Sequence, residues 1–113
     1  MGFTVENYPI NDYITTLLSY VCLLQRARSI VVTSTGLTSP LRKGNGEFYS
    51  GSKYHIEGSF GVYYSKVEKT AGKKCLREDY VEDYVDELPE NLALSLYTLE
   101  KARFGEYTVQ DDV

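Results

Sequence analysis

An apolar-rich run from Ile14 to Leu24 constrains the fold of this chain more than any other segment. Thr15, Thr16 and Ser19 interrupt the run, so it falls short of the roughly 18 apolar residues that a membrane-spanning helix needs. Apolar residues recur at helical spacing and form a broad band: Tyr13, Ile14, Leu17, Leu18, Tyr20, Val21, Leu23 and Leu24. We therefore predict a helix over about residues 11–27 that is buried on more than one side or contacts a partner chain.

The length of 113 residues predicts a single domain, 1–113, with a core of its own. A content of 42% hydrophobic and 25% charged residues is ordinary for a globular protein and excludes wholesale disorder. The N-terminal residues do not form a charged segment followed by an apolar one, so no signal peptide is predicted. Two cysteines, Cys22 and Cys75, are too few for a disulfide framework, and we expect reduced thiols in a cytoplasmic protein.

The remaining patterns predict an α+β domain with a β-α-β opening, an antiparallel meander and two C-terminal helices. Alternation predicts a first strand over 3–8, and β-branched residues predict a second over 29–35. Glycine-containing turns separate the strands of the meander at 47–50, 53–57 and 59–70. Helical spacing predicts helices over 76–88 and 89–103. We expect the tail over 107–112 to be a frayed end.

Charge is segregated along the chain although the net charge is only −4. Residues 42–77 carry eight Lys and Arg against three Glu, whereas residues 78–113 carry eleven Asp and Glu against two basic residues. Two interpretations follow. The patches attract each other within the fold, or they serve as docking surfaces, because complementary fields raise association rates and fix register.

The first functional hypothesis is a non-enzymatic assembly or accessory protein: a homo-oligomer, or a subunit of or accessory to a larger complex or filament. Eleven tyrosines, a residue type enriched at interfaces, and the wide apolar band support it. The predicted interaction residues lie on the apolar band and on the acidic face of the 76–88 helix: Tyr13, Leu17, Tyr20, Glu78, Asp79, Glu82, Asp83 and Asp86. The scarcity of Gln, His and Met beside many Tyr and charged residues indicates a thermophile, and the hypothesis takes a thermophilic archaeon as the source.

The alternative hypothesis is nucleic-acid binding by the basic, aromatic-rich strands over 42–77. Basic strands that carry aromatic rings can contact phosphates and stack bases. The residues predicted for this surface are Arg42, Lys43, Lys53, Tyr54, Lys66, Lys69, Lys73 and Lys74. The negative net charge and the acidic last third of the chain oppose this hypothesis, because they repel nucleic acid at long range.

Few residue patterns fit known metal or cofactor sites. Neither a nucleotide-binding glycine motif nor a zinc-ligand set is present in the sequence. Two carboxylate pairs on the predicted acidic helix, Asp79 with Asp83 and Glu82 with Asp86, have a spacing that could hold Mg²⁺ or Ca²⁺. A solvated acidic face is the commoner use of such pairs, so neither a metal nor a cofactor is predicted.

Nucleophilic catalysis would depend on Cys75, which follows two lysines at the start of a predicted helix, where a thiolate is favoured. His55 could serve as its base if the fold brought the two together. Nothing in their spacing requires that, and no known nucleophile motif is present in the sequence. We therefore predict that the protein is not an enzyme.

Residues 11–36 resemble the opening of the Alba-family archaeal chromatin proteins. The resemblance rests on Asn11-Asp12-Tyr13-Ile14 before the predicted helix and on the strand from Ile30 to Gly36. Those proteins share an Asn-Tyr-Val helix start and an Ile-x-Ile-x-Ala-x-Gly strand. The resemblance covers about a quarter of the chain and implies a β-α-β opening. It transfers no binding residues.

Overall fold

The structure, a computed structural model, describes residues 2–24, 30–34, 41–42, 48–49 and 54–112. Its strands are β1 (Gly2–Pro9), β2 (Thr15–Leu23), β3 (Ile30–Ser34), β4 (Leu41–Arg42), β5 (Phe48–Tyr49), β6 (Tyr54–Tyr63), β7 (Arg77–Val85) and β8 (Val109–Asp112). Its helices are α1 (Lys66–Thr70) and α2 (Leu92–Ala102). The described chain is mostly antiparallel sheet with two helices, which confirms the α+β class.

β6 is the central strand of the larger sheet. One edge of β6 pairs antiparallel with β7 over 54–62. The other edge pairs with β3 over 54–58 and then with β2 over 60–63, so β2 and β3 follow each other along it. β2 pairs in turn with β1, and β1 with β8. The short strands β4 and β5 pair separately on either side of the predicted turn at 44–46, which lies outside the described residues.

The core lies between one face of the sheet and α2. Phe3 and Phe60 of the sheet contact Tyr97 of α2 edge to face, with ring centroids 6.2 and 4.9 Å apart. Leu96 packs closely on β6 because Gly58 beneath it has no side chain; a Cβ there would lie 2.9 Å from Leu96 Cδ1. All four of the larger side chains are buried. Tertiary packing of this kind, more than helix propensity, stabilises a helix of α2's length.

A left-handed residue changes which face of β1 is buried. Asn7 has a φ of 50°, a conformation that asparagine tolerates better than most residues. Before it the buried residues are the odd-numbered Phe3 and Val5, and after it they are the even-numbered Tyr8 and Ile10. All four side chains belong to one core cluster, so the change at Asn7 keeps both halves of β1 in contact with the core.

The predicted helix over 11–27 is wrong, because residues 15–23 form strand β2. In its C-terminal half this strand is buried on both faces: Val21 faces the core, and Tyr20 and Cys22 are buried on the opposite side. A strand buried on both faces loses its alternation and becomes a continuous apolar run, which periodicity cannot distinguish from a buried helix. A β1–β2 hairpin therefore replaces the predicted β-α-β opening, including the helix that the Alba resemblance implies.

The predicted helix over 76–88 is also wrong, because residues 77–85 form β7. Val81 and Val85 lie on the α2 side of the sheet, and Tyr80 and Tyr84 lie on the other side. Residues four apart share a face in a strand as well as in a helix, so the spacing that predicted a helix fits this strand equally.

The last predicted helix is confirmed as α2, although it begins at Leu92 after the N-cap Asn91, three residues later than predicted. The strand predicted over 59–70 is divided, with β6 ending at Tyr63 and α1 following. The tail is not frayed, because β8 pairs with β1. No helix within the described ranges is long and apolar enough to cross a membrane.

Candidate functional site

The β1–β2 hairpin carries the two most exposed large apolar side chains of the described residues. Tyr13 is 94% exposed and Leu17 is 82% exposed, and the neighbouring Leu18 is 48% exposed. The turn of the hairpin is closed by Asn11, whose Oδ1 accepts hydrogen bonds from the backbone amides of Tyr13 and Ile14 at 2.8 and 3.0 Å. The exposed side chains therefore project from a hydrogen-bonded hairpin.

One edge of β2 has no neighbouring strand over residues 15–19 in the described part of the chain. β1 pairs with one edge of β2 from Thr15 to Val21, whereas β6 reaches the other edge only from Tyr20 onward. Natural sheets usually protect such an edge with a charged residue, a proline or a bulge. The sequence from Tyr13 to Leu24 contains neither a charged residue nor a proline.

Tyr20, the third apolar residue predicted for the interaction surface, is not available there. It is 3% exposed, and its hydroxyl donates to Oδ2 of Asp112 at 3.1 Å. Lys66 of α1 contacts the same oxygen at 2.6 Å. Burial and the Asp112 carboxylate raise the pKa of Tyr20 to about 12. Tyr20 therefore remains a hydrogen-bond donor at neutral pH and links β2 to β8.

The five acidic residues predicted for one helix face do not share a face in the structure. Glu78 and Glu82 lie on the side of β7 away from α2, Asp79 and Asp83 lie on the α2 side, and Asp86 follows the strand. Four of them are exposed and Asp79 is buried. A single acidic docking face is therefore not formed, because alternation along a strand divides the residues that a helix would align.

Asp79 belongs to a buried polar network at the end of α2. The Arg77 guanidinium donates to both Asp79 oxygens, at 2.8 and 2.9 Å, and to the Tyr8 hydroxyl at 2.6 Å. Bidentate pairs of this kind are among the strongest hydrogen-bonded contacts in proteins. Tyr8 packs in turn on Phe104, with ring centroids 4.8 Å apart. The network therefore joins β1, β7 and the end of α2.

Glu100 of α2 completes this network. Its side chain is fully buried, and Oε1 accepts a hydrogen bond from Arg103 Nε at 2.8 Å. Its second oxygen, Oε2, has no hydrogen-bond partner among the described residues. Burial and the neighbouring charge of Asp79 raise the pKa of Glu100 to about 7, against the lowering influence of Arg103. Glu100 is therefore a buried carboxyl group that gains or loses a proton near neutral pH.

Three potential metal ligands and a phenol converge on the opposite face of β7. His55, Glu57 and Glu82 place their ligand atoms within 4.8 Å of one another. Nε2 of His55 is 2.9 Å from Oε2 of Glu82. The Tyr80 hydroxyl, which has one hydrogen to donate, lies 2.9 Å from the same oxygen and also contacts the Glu57 carboxylate. The register of the strands produces this arrangement, because Glu57 lies directly opposite Glu82.

Hydrogen bonds set the protonation of this cluster. Those with His55 and Tyr80 lower the pKa of Glu82, so its carboxylate stays ionised. Burial and the hydrogen bonds to both carboxylates raise the pKa of Tyr80, so its hydroxyl stays protonated. The His55 imidazole stacks on the ring of Tyr84, with centroids 4.3 Å apart and planes 8° apart, which fixes its orientation.

The cluster was not predicted, because the sequence patterns placed His55 and Glu57 on a strand and Glu82 on a separate helix. A usable signal was present: Glu78, Tyr80, Glu82 and Tyr84 alternate with Asp79, Val81, Asp83 and Val85. Such period-two alternation of aromatic and β-branched residues indicates a strand.

The residues predicted for nucleic-acid binding fall at two ends of β6. Lys66, Lys69, Lys73 and Lys74 lie in α1 and the loop after it, following the last residue of β6. Tyr54 begins β6, and Arg42 lies in β4. Lys43 and Lys53 lie outside the described residues.

Two of the four clustered lysines already contact acidic partners. Lys66 pairs with Asp112 at 2.6 Å, and Lys73 pairs with Glu68 at 3.4 Å. The described residues therefore do not assemble a continuous basic and aromatic surface, and nucleic-acid binding stays a prediction.

The structure also separates Cys75 from His55. Cys75 lies in the loop before β7 and beside Gly61, where a Cβ would be 3.1 Å from the Cys75 Cβ. His55 is six residues from Gly61, roughly 20 Å along β6. Cys75 instead lines an open cleft of about 500 Å³ with Leu24 and Tyr63 among its neighbours. The fold therefore does not bring this thiol and the His55 imidazole together, and the pairing considered from the sequence does not occur.

Comparison with known proteins gives no match: no protein-family model, no curated protein and no solved structure matches this chain. The resemblance of residues 11–36 to the Alba opening accordingly stays a prediction.

Proposed function

We propose that this chain is a non-enzymatic assembly protein that pairs with a second copy of itself through the free edge of β2. The observation that carries the proposal is the edge over residues 15–19, which pairs with no strand in the described ranges, beside Leu17, which is 82% exposed. A strand added there would form backbone hydrogen bonds with this edge and would remove Leu17 from water.

The edge is suited to a copy of itself. Two antiparallel copies of residues 15–19 related by a twofold axis through residue 17 would place Leu17 opposite Leu17 of the partner. No like charges would meet across the axis, because the sequence from Tyr13 to Leu24 is uncharged. Such a contact closes on itself and gives a dimer.

The same edge could also receive a strand of a different protein, as in strand addition to other sheet edges. A role as a subunit of or accessory to a larger complex or filament, in the cytoplasm of a thermophilic archaeon, belongs to this proposal. The self-complementary, uncharged edge favours the homodimer as the first assembly step.

The experiment is sedimentation equilibrium of the wild-type chain and of Leu17→Lys over a wide range of concentration. We expect a dimer for the wild type and a monomer for the variant, because the substitution places two ammonium groups against each other at the axis. Leu94→Lys is the matched control, because Leu94 is also exposed, at 47%, but lies on α2. We expect this variant to remain a dimer. Circular dichroism checks that both variants are folded.

Salt distinguishes edge pairing from docking between charged patches. Apolar contacts and strand hydrogen bonds persist in concentrated salt, whereas contacts between exposed charges weaken. We expect the dimer to survive in high salt. A strictly monomeric wild type, a Leu17→Lys dimer as stable as the wild type, or dissociation by salt would each contradict the proposal.

A further inference from the structure

We propose that His55, Glu57 and Glu82 form a binding site for a divalent transition-metal ion, with Zn²⁺ as the ion that fits the set best. This inference is independent of the proposed dimer, because the three residues lie on β6 and β7 and not on the free edge of β2.

The ligand atoms already lie close to the spacing that a metal ion imposes. Ligands about 2.0–2.2 Å from a tetrahedral Zn²⁺ lie roughly 3.4 Å from one another. With one ligand atom taken from each residue, all three atoms lie within 4.8 Å of one another, and Oε2 of Glu82 is 2.9 Å from Nε2 of His55. Glu57 lies nearer the other ring nitrogen, Nδ1, at 3.9 Å, so its side chain would turn toward the shared ion while the paired strands keep the backbones of β6 and β7 in register.

The chemistry of the donors selects the class of ion. One imidazole nitrogen with two carboxylate oxygens suits Zn²⁺ and its first-row neighbours. Mg²⁺ and Ca²⁺ prefer sets made of oxygen alone. The cluster differs in this respect from the all-carboxylate pairs Asp79–Asp83 and Glu82–Asp86, which the sequence pattern offered for Mg²⁺ or Ca²⁺.

The charge balance of the cluster also favours a cation. Like charges directly opposite each other on paired strands are destabilising, and Glu57 is directly opposite Glu82. Among the described residues, the ion-pair partner of both carboxylates is His55. An ion with two positive charges would turn this repulsion into attraction.

The residues around the three ligands would support a bound ion. The stacked ring of Tyr84 fixes the plane of the His55 imidazole before any ion binds. The Tyr80 hydroxyl contacts both carboxylates and would orient them, as groups around metal ligands commonly do. Glu82 is 49% exposed, so one side of the site is open to water as a further ligand.

The experiment is titration of the metal-free protein with Zn²⁺ by isothermal calorimetry. We expect one site in the wild type and a loss of affinity of at least roughly 10–100-fold in His55→Ala, Glu57→Gln and Glu82→Gln. Glu78→Gln is the matched control, because Glu78 is on the same face of β7 but outside the cluster. Its affinity should equal that of the wild type.

Two further readouts separate this site from general attraction to acidic residues. Co²⁺ bound by an imidazole and carboxylates should give a visible absorption band that His55→Ala weakens, and excess Mg²⁺ should not displace Zn²⁺. Failure of the wild type to bind Zn²⁺ would overturn the proposal. Equal binding by the three ligand variants and the wild type, or displacement by Mg²⁺, would overturn it as well.

Discussion

β7 carries charged residues on both faces, and the two faces balance them differently. On the α2 side, the guanidinium groups of Arg77 and Arg103 contact Asp79 and Glu100. On the other side, Glu57 and Glu82 meet beside one imidazole and one phenol. The first cluster pairs two buried carboxyl groups with two partly exposed guanidinium groups, whereas the second is more open and rich in carboxylate.

The difference between the two faces of β7 shows that burial determines whether a charged side chain needs a partner within the chain. A buried charge needs compensation within the chain, because leaving it unpaired away from water is strongly unfavourable. A partly exposed charge can take its partner from solution. The α2 side of β7 therefore contributes to stability, and the open side is suited to binding.

The largest effect is expected from Arg77→Met, which removes the bidentate partner of buried Asp79. Of its described basic partners, the buried carboxylate would keep only the longer contact to Arg103, at 3.6 Å, so the free energy of unfolding should fall by about 3 kcal/mol. Urea denaturation followed by circular dichroism measures the change. Lys74→Met, at an exposed neighbouring basic position, should stay within about 0.5 kcal/mol of the wild type. Equal stability of Arg77→Met and the wild type would show that the network does not stabilise the fold.

The pH dependence of stability should reveal Glu100. Its pKa is raised from 4.5 to about 7 in the folded chain, so the folded state binds the proton more tightly than the unfolded state. The resulting stability is fully present below about pH 4.5 and is lost as pH rises through about 7, by at most about 3 kcal/mol.

Glu100→Gln removes this titration while keeping an oxygen that can accept from Arg103. We expect the stability of the variant relative to the wild type to increase between pH 5 and pH 8, in urea denaturation at each pH. Parallel pH profiles for the two proteins would contradict a raised pKa for Glu100 in the folded state.

The smallest effect is expected from Glu57→Gln in the metal-free protein. Removing one of two carboxylates that face each other should raise the free energy of unfolding by about 0.5 kcal/mol. Glu78→Gln should leave it unchanged. A clear loss of stability in metal-free Glu57→Gln would mean that the Glu57 carboxylate is needed for its contact with Tyr80 more than it repels Glu82.

Some elements could be predicted because the local signal suits one structure only. The strands expected over 3–8, 29–35 and 53–57 appear in β1, β3 and β6 within the described residues, and α2 appears close to its predicted position. The β-branched run in β3 favours a strand, and the long helical periodicity of α2 favours a helix, so neither pattern fits another structure well.

The two wrongly predicted helices, over 11–27 and 76–88, share a physical cause. In β2 and β7 the apolar residues lie four apart, and this spacing fits one face of a helix and one face of a strand. Contacts that are distant in sequence decide between helix and strand. β2 lies between β1 and β6, and β7 pairs with β6 along nine residues. Tertiary pairing of that kind overrides local propensity and cannot be read from one segment alone.

The candidate sites also depend on strand pairing that the local sequence does not reveal. Tyr13 and Leu17 were predicted as interaction residues on a helix, but their position beside a strand edge could not be predicted, because that edge exists only once residues 15–23 form β2. The cluster of His55, Glu57 and Glu82 depends on the register between two strands separated by α1. A shift of that register by one residue would move Glu82 to the other face of the sheet.

The pairing of β8 with β1 has a kinetic consequence. Thr4 and Gln110 contact each other across 106 positions of the chain, so this edge of the sheet closes only after almost the whole sequence is available. Contacts of such long range slow folding, because the entropy of closing a large loop must be overcome before they form. Until β8 docks, the outer edge of β1 over residues 2–5 is open, so partly folded chains expose these backbone groups to pairing with other chains.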